Sequence, residues 1–270
     1  MAEYKDYDSL LHSQYKDASN FSARVELHRR FSINKHGWHR WVFDQLQINE
    51  GGNLLELGCG PGLLWFGNLR RIPASWHIIL SDFSPGMLRE AQQRLGEKCF
   101  TYQIVDARTI PFAEASFDAV VANHMLYHVP DLPRALSEIQ RVLKPGGRLY
   151  ATTVGREHMQ EMDRLVKQAL PDISWQSMGQ RLPFLLENGH ELLAPFFSPV
   201  ALFTYEDALE VTESEALIAY VRSVPSGSRL REDQVDRLRA TIQRELAAYG
   251  TIHITNASGM FAATKIRHGS

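Results

Sequence analysis

Three glycines at alternate positions follow an apolar run that ends in an acid: Leu54-Leu55-Glu56-Leu57-Gly58-Cys59-Gly60-Pro61-Gly62. Glycine lacks a Cβ, so the chain can turn sharply there and its backbone can approach a ligand closely. A strand running into such a turn, with a helix after it, is how doubly wound α/β proteins hold an adenosine-containing cofactor. The dinucleotide fingerprint is G-x-G-x-x-G. Here the third fingerprint position is Leu63. Glu56 bears on the same choice. A carboxylate beside a pyrophosphate would repel it, whereas S-adenosylmethionine has an amino group and a positive sulfonium and brings no phosphate. Spacing and charge both disfavour a dinucleotide. A tight strand-to-helix turn with no ligand is the plain alternative.

A second group with chemical potential is His124-Met125-Leu126-Tyr127-His128. The histidines share a helical i, i+4 spacing, as in the zinc motif H-E-x-x-H, but the acid is absent. His36-x-x-His39 has no evident third ligand either, so no metal site is expected. A histidine near neutrality can take a proton from a hydroxyl or amine, with rate lost below an ordinary pKa of about 6–7. Histidines that merely satisfy each other in a core are the bland alternative.

The elements that must position these residues follow a strand–helix rhythm. Strands are expected at about 53–57, 76–82, 99–105, 117–122 and 148–154. Helices are expected at about 61–70, after Ser84-Pro85, and at 132–143. Such alternation implies α/β architecture: a doubly wound, mostly parallel sheet covered on both faces. Before it, residues 1–48 read as an aromatic helical cap, and 49–154 as the cofactor-binding core. Residues 155–195 are too long for a simple connection and read as a helical insertion forming a lid. Residues 196–270 return to the core sheet, with strands in 198–205 and 251–265. Between them, Arg231–Tyr249 reads as a mixed-charge helix whose polar face is solvated.

Bulk properties narrow the partners. The 270 residues carry a formal net charge of -2, so no basic field points to nucleic acid, and 44% are hydrophobic, ample for a core. No apolar run is long enough to span a bilayer, and the N-terminus lacks signal-peptide character. Two cysteines, Cys59 and Cys99, suit a reducing cytoplasm better than a disulfide. A small-molecule partner, with no nucleic acid and no membrane, is the expectation.

The order of these motifs resembles the class I S-adenosylmethionine-dependent methyltransferases, particularly the small-molecule branch that includes the ubiquinone and menaquinone methyltransferases. The resemblance rests on Leu54–Gly62, Asp82-Phe83-Ser84, Asp106-Ala107, Phe117–Asn123 and Arg141–Gly147. It is good over about 50–154 and looser over 196–265. It implies a seven-stranded Rossmann-like sheet whose last strand runs antiparallel, and the closing strand pair fits that. It implies S-adenosyl-L-methionine as methyl donor and transfer to an oxygen, nitrogen or carbon nucleophile of a small molecule. It also implies roles. Asp82 would accept from both ribose hydroxyls, and Phe83 and Met87 would pack on the adenine. Asp106 would accept from the adenine amino group, and the Ala107 N–H would meet a ring nitrogen. Gly58, Cys59 and Gly60 would flank the methionyl part, Glu56 would orient the loop or meet the amino group through water, and Asn123 would lie near the methionyl end. His124 and His128 would line the transfer site, one of them as base. The chain lacks the Asn/Asp-Pro-Pro-Tyr/Phe run that amino-methylating nucleic-acid enzymes carry after strand 4, and a nucleophilic cysteine there. The rivals are an NAD-dependent oxidoreductase and a non-catalytic S-adenosylmethionine-binding protein.

Overall fold

Near-continuous apolar runs form the centre of the molecule, as strands buried on both faces require. A computed structural model describes residues 19–173, 175 and 182–266. Residues 1–18 of the expected cap lie outside the described residues. β1 (Asn53–Leu57), β2 (His77–Asp82), β3 (Phe100–Ile104), β4 (Phe117–Asn123) and β5 (Leu143–Val154) pair in parallel in the order β3-β2-β1-β4-β5. β9 (Ser258–Thr264) then runs antiparallel to both β5 and β6 (Val200–Tyr205), completing seven strands. The doubly wound, mostly parallel sheet expected from the sequence is thus present.

The helices start where their caps dictate. At α4 (Pro85–Leu95), Ser84 Oγ accepts from the Met87 N–H at 3.3 Å, and at α5 (Leu132–Val142) the Asp131 carboxylate accepts from the Arg134 N–H at 3.1 Å. Proline near each start lacks only an N–H that would have been orphaned anyway. The helix expected at 61–70 is cut short. α3 spans only Leu63–Phe66, followed by a 3₁₀ turn at Leu69–Arg71. Asn68 ends it by donating its side-chain amide to Leu64 O at 2.7 Å and to His39 O at 3.0 Å. This ties α3 to α2 (Trp38–Gln45). The Lys144–Gly147 stretch, between the helix expected at 132–143 and the strand expected at 148–154, lies inside β5 as an irregularity, where pairing with β4 shifts between Phe117 and Ala119.

The C-terminal part divides, against expectation. β6 and β9 join the sheet, but β7 (Ala208–Val211) and β8 (Ile252–Thr255) pair in a separate two-stranded ribbon. With α8 (Ser214–Arg222), α9 (Pro225–Ser228) and α10 (Glu232–Tyr249) they form a cap with its own core. Leu27 and Phe31 of α1 (Ser19–Phe31) enter that core, as do Met162, Leu165 and Val166 of α6 (Gln160–Ala169). The rest of the 155–195 insertion goes elsewhere: Leu182, Phe184, Leu185, and Leu193 of α7 (Gly189–Leu193) pack into the main core. The physical reason is burial on two fronts, which a linear pattern does not apportion. Val235, Leu238 and Ile242 of α10 point into the cap core, while Arg239 pairs with Glu215 outside and Arg231, just before the helix, with Asp233.

Candidate functional site

In an open parallel sheet, ligands bind outside the carboxyl ends of the strands, where the strand order reverses. Here β1 lies between β2 and β4, and a cavity of about 810 Å³ opens above their ends. Its walls come from the glycine loop, the segments after β2, β3 and β4, and the cap.

The three loop glycines have φ of 65°, 53° and 76° at Gly58, Gly60 and Gly62, in the left-handed region that favours glycine. Each has a different neighbour. A Cβ on Gly58 would lie 2.8 Å from Met125 Cβ, and one on Gly62 would lie 2.6 Å from Leu95 Cδ1 of α4. A Cβ on Gly60 would meet nothing within 4 Å, so this backbone lies bare to the cavity. The Gly60 N–H donates to Asp82 Oδ2 at 2.9 Å and the Ser84 N–H to Asp82 Oδ1 at 2.7 Å. Burial pushes the Asp82 pKa up, opposed by the N–H groups of Ser84, Gly60 and Phe83. Each carboxylate oxygen keeps a further lone pair, so the group can also accept from a vicinal diol. Cys59, Phe83, Met87 and Ala107 line the same end. Burial, with Asp82 and Glu56 adding, pushes the Cys59 thiol well up, so it stays protonated.

Two residues expected at the cofactor lie off the cavity wall. Glu56 does not line the cavity. It lies beneath the loop, accepting from Trp65 Nε1 at 2.5 Å, and burial pushes its pKa up to about 8 despite that bond, with Asp82 adding. A carboxyl mostly neutral at pH 7 neither repels a phosphate nor attracts a sulfonium. The charge argument made from Glu56 therefore fails, and loop support is what remains. Asp106 does not line the cavity either. Its carboxylate is clasped by Arg108 through Nη2 at 2.7 Å and Nε at 3.0 Å. Burial raises its pKa, but the Arg108 bonds outweigh that and leave it lowered. Its neighbours Val105 and Ala107 do line the cavity.

At the end of β4, Thr152 of β5 pins two residues. Its Oγ1 donates to Asn123 Oδ1 at 2.7 Å and accepts from the His124 N–H at 2.8 Å. Asn123 Oδ1 also accepts from Trp38 Nε1 at 3.4 Å. His124 is held at φ 53°, a strained conformation for a non-glycine residue. Its ring lies 4.9 Å from that of Trp38, and Tyr127 meets His128 edge-on at 4.5 Å. Burial pushes both imidazoles down to about 3. For His124 the charges of His28 and His39 add, and for His128 those of Arg24 and His124. Both are neutral at pH 7. The loss of rate below about pH 6–7 expected from an ordinary histidine is therefore not expected here.

The far end of the cavity was not foreseen. His28 of α1 stacks on His158, with centroids 5.9 Å apart and planes 4° from parallel. Asp207, in the β6–β7 turn, accepts from Ser32 Oγ at 2.7 Å, the Asn34 N–H at 3.0 Å and Asn256 Nδ2 at 2.7 Å. The available signal was position: Arg24 and His28 one helical turn apart, and His158 and Asn256 just past or before a sheet strand. Among the described residues, no group of three or more His, Cys, Asp or Glu is placed to hold a metal ion.

Residues 55–151 match the family described as methyltransferase domain. The ubiquinone/menaquinone biosynthesis C-methyltransferase of Desulfotalea psychrophila is 36% identical over 111 residues, 41% of this chain and 45% of that protein. The malonyl-[acyl-carrier protein] O-methyltransferase of Erwinia billingiae is 33% identical over 169 residues, 57% of this chain and 65% of its own. Phosphoethanolamine N-methyltransferase 2 of Haemonchus contortus, solved with S-adenosylhomocysteine, superposes with a TM-score of 0.59 at 20% identity, covering 98% of this chain and 61% of that one. The chain spans about half the length of the first of the curated relatives it matches. Fold and matched segment define the class: this is a class I S-adenosylmethionine-dependent methyltransferase fold, and S-adenosylmethionine is the methyl donor of that class. Within it the chain resembles the ubiquinone and menaquinone methyltransferases.

Proposed function

We propose that this protein transfers the methyl group of S-adenosylmethionine to an oxygen, nitrogen or carbon atom of a small molecule. The observation that carries this is one cavity with two unlike ends: backbone, Asp82 and apolar side chains over β1–β3, and aromatic rings with neutral imidazoles over β4–β6. The relatives named above act on carbon, oxygen and nitrogen in turn, so they support the chemistry and leave the acceptor atom open.

In this reading Gly58, Cys59 and Gly60 flank the methionyl part, Asp82 takes the ribose hydroxyls, and Phe83, Met87 and Ala107 face the adenine. Asn123 orients the methionyl end. The donor supplies a methyl carbon activated by its sulfonium. The acceptor's electron pair bonds to that carbon as the C–S bond breaks, and the pair stays on sulfur. Positioning and exclusion of water do most of the work. His124 and His128, uncharged across the working range, accept hydrogen bonds from the acceptor and hold it in line. Bases with pKa so far below the operating pH are weak ones. We read α1, α6 and the cap as the lid. The free cysteines, Cys59 buried and Cys99 exposed, fit a reducing cytoplasm.

Calorimetry with S-adenosylhomocysteine, S-adenosylmethionine and NAD tests the reading, followed by transfer of a labelled methyl group to a panel of small acids, amines and phenols. The expected result is binding of the two adenosyl ligands and not of NAD, with labelled product from part of the panel. Binding of NAD in place of S-adenosylhomocysteine would refute it, and cofactor binding with no product from any acceptor would favour a non-catalytic role. Between about pH 5.5 and 8 these histidines should impose no acid limb on the rate.

A further inference from the structure

A methyl sulfonium is a cation, and on the reading above it passes between the end over β1–β3 and the end over β4–β6, beside the residues that follow β4. The cavity offers it no open carboxylate there. Glu56 lies off the wall, and burial keeps it mostly protonated at pH 7. Among the described lining residues the acids are Asp82 and Asp207. Asp82 ends β2, two strands from β4, which is roughly 10 Å across the sheet. Asp207 already accepts from Ser32, Asn34 and Asn256. The same wall carries Arg24, Arg29, Lys35 and Arg40, so four bases face two acids. Glu26 pairs with Arg29 from off the wall at 2.6 Å, and the bases still lead by four to three. Lys35 Nζ donates to the Ser32 carbonyl at 2.6 Å, which is neutral. Fixed charge on the wall therefore does not favour a cation.

What does stand at the β4 end is aromatic. Trp38, at the start of α2, is partly buried and lines the cavity, and its Nε1 donates to Asn123 Oδ1 at 3.4 Å. Its ring centroid lies 4.9 Å from that of His124, with planes 34° apart, and 5.3 Å from that of Trp41, with planes 27° apart. Tyr205 meets it edge-on at 5.2 Å. At such spacings rings overlap by their margins and not face to face. The indole is thus held by three rings while part of it forms cavity wall. Thr152 fixes its neighbours, bonding both Asn123 Oδ1 and the His124 N–H. His124 adds no charge at pH 7, since burial first, then the charges of His28 and His39, push its imidazole down to about 3. Of the aromatic side chains, tryptophan attracts a cation to its face most strongly.

We propose that the ring of Trp38 receives the sulfonium of S-adenosylmethionine and makes the site prefer the charged donor over neutral S-adenosylhomocysteine. This rests on the methyltransferase reading above and adds a specificity-determining residue to it. In the transfer the acceptor's electron pair bonds to the methyl carbon, the C–S pair stays on sulfur, and the positive charge leaves the sulfur. A carboxylate at that place would bind the charged ground state tightly and so raise the barrier to losing the charge. A ring attracts the cation more weakly, selects the donor, and lets go of the thioether product.

The test uses the full chain without acceptor, titrated in a calorimeter with S-adenosylmethionine and with S-adenosylhomocysteine. The unmodified protein should bind the sulfonium about threefold to tenfold more tightly than the thioether. Tryptophan carrying one, two or three fluorines is then placed at position 38. Fluorine withdraws electron density from the ring while keeping its shape and its N–H. S-adenosylmethionine affinity should fall with each fluorine, while that of S-adenosylhomocysteine stays within about twofold and reports that the protein is folded. Trp38→Leu should abolish the preference. It also removes the bond to Asn123, a loss both ligands share, so the ratio of affinities isolates the charge. No preference in the unmodified protein, a preference that fluorination leaves unmoved, or equal losses for both ligands overturns the proposal. Failure of both ligands to bind the unmodified protein would overturn the methyltransferase reading itself, and the proposal with it.

Discussion

The two ends of the cavity are built by different means. The end over β1–β3 is made from a single continuous loop and two strand ends, and its polar contacts are backbone N–H groups converging on Asp82. The end over β4–β6 is made from side chains delivered by α1, the segments after β4 and β5, and the turns before β7 and β9. Backbone geometry suits an invariant ligand. Side chains from separate segments can change one at a time, which suits a specificity pocket. The difference predicts that damage at one end leaves the other's ligand alone.

The largest expected break is Asp82→Ala. It removes two bonds to a bound diol, each worth roughly 1.5–3 kcal/mol, so S-adenosylhomocysteine affinity should fall by about 100-fold or more. The fold is affected too, because the Gly60 and Ser84 N–H groups lose their acceptor. Titration calorimetry and a melting curve separate the effects. Unchanged affinity at an unchanged melting temperature would remove Asp82 from the site.

The next effect sharpens the contrast through pH. The folded state keeps Glu56 protonated up to about 8, while the unfolded chain ionises it from about 4.5. Folding therefore loses stability from Glu56 as pH rises between those values. The histidines act oppositely. Unfolded, they gain a proton below 6.5, whereas folded His28 does so only near 4 and His124 and His128 near 3, so stability falls as pH drops below 6.5. Each unit of pH in such a window is worth about 1.4 kcal/mol per group. Glu56→Gln keeps an acceptor for Trp65 and deletes only the alkaline-side loss. Relative to wild type it should be more stable at pH 7 than at pH 5, on the order of 3 kcal/mol. Equal differences at both values, from melting curves, would show that Glu56 is ionised in the fold.

What could be read beforehand follows the same division. Gly58, Gly60, Asp82 and Asn123 were legible as positions on the cavity wall because their constraint is local: a turn that demands glycine and acids or amides at strand ends. Glu56 was legible as a position but not as a charge, since its burial under Trp65 depends on how α3 folds back. Asp106 was legible as a position at a strand end, but its pairing with Arg108, two residues on, was not. His158 and Asn256 were not legible, because nothing in their own neighbourhood shows that α1 and the cap close over them. The β7–β8 ribbon was missed because Ala208–Val211 is too short to signal a strand by itself.

A smaller effect separates two glycines within one loop. Gly58→Ala adds left-handed strain and a contact with Met125 at 2.8 Å, so it should lower the melting temperature, with a cost on the order of 1–3 kcal/mol. Gly60→Ala meets no atom, so its folding cost is the strain of roughly 1–2 kcal/mol, but its methyl group enters the cavity. Cofactor affinity per degree of melting lost should therefore suffer more in Gly60→Ala. The reverse order would mean that Gly58, and not Gly60, presents the bare backbone to the ligand.

The smallest effect lies outside the cavity and serves as its control. Arg239 of α10 donates to Glu215 at 2.7 Å and pairs with Asp236, and the acids are mostly exposed. Exposed pairs gain little, because water and salt screen them and two long side chains must be held still. Arg239→Ala should move the melting temperature by no more than about 2 °C, less at high salt, and should leave the affinities of both ends unchanged. The buried face of the same helix, Val235, Leu238 and Ile242, carries its attachment to the cap core. If Arg239→Ala instead lowered methyl transfer while S-adenosylhomocysteine still bound, the ion pairs of α10 would be holding the cap in place. The acceptor end would then depend on surface charge as well as on its own side chains, and its affinity should fall with added salt even in the unmodified protein.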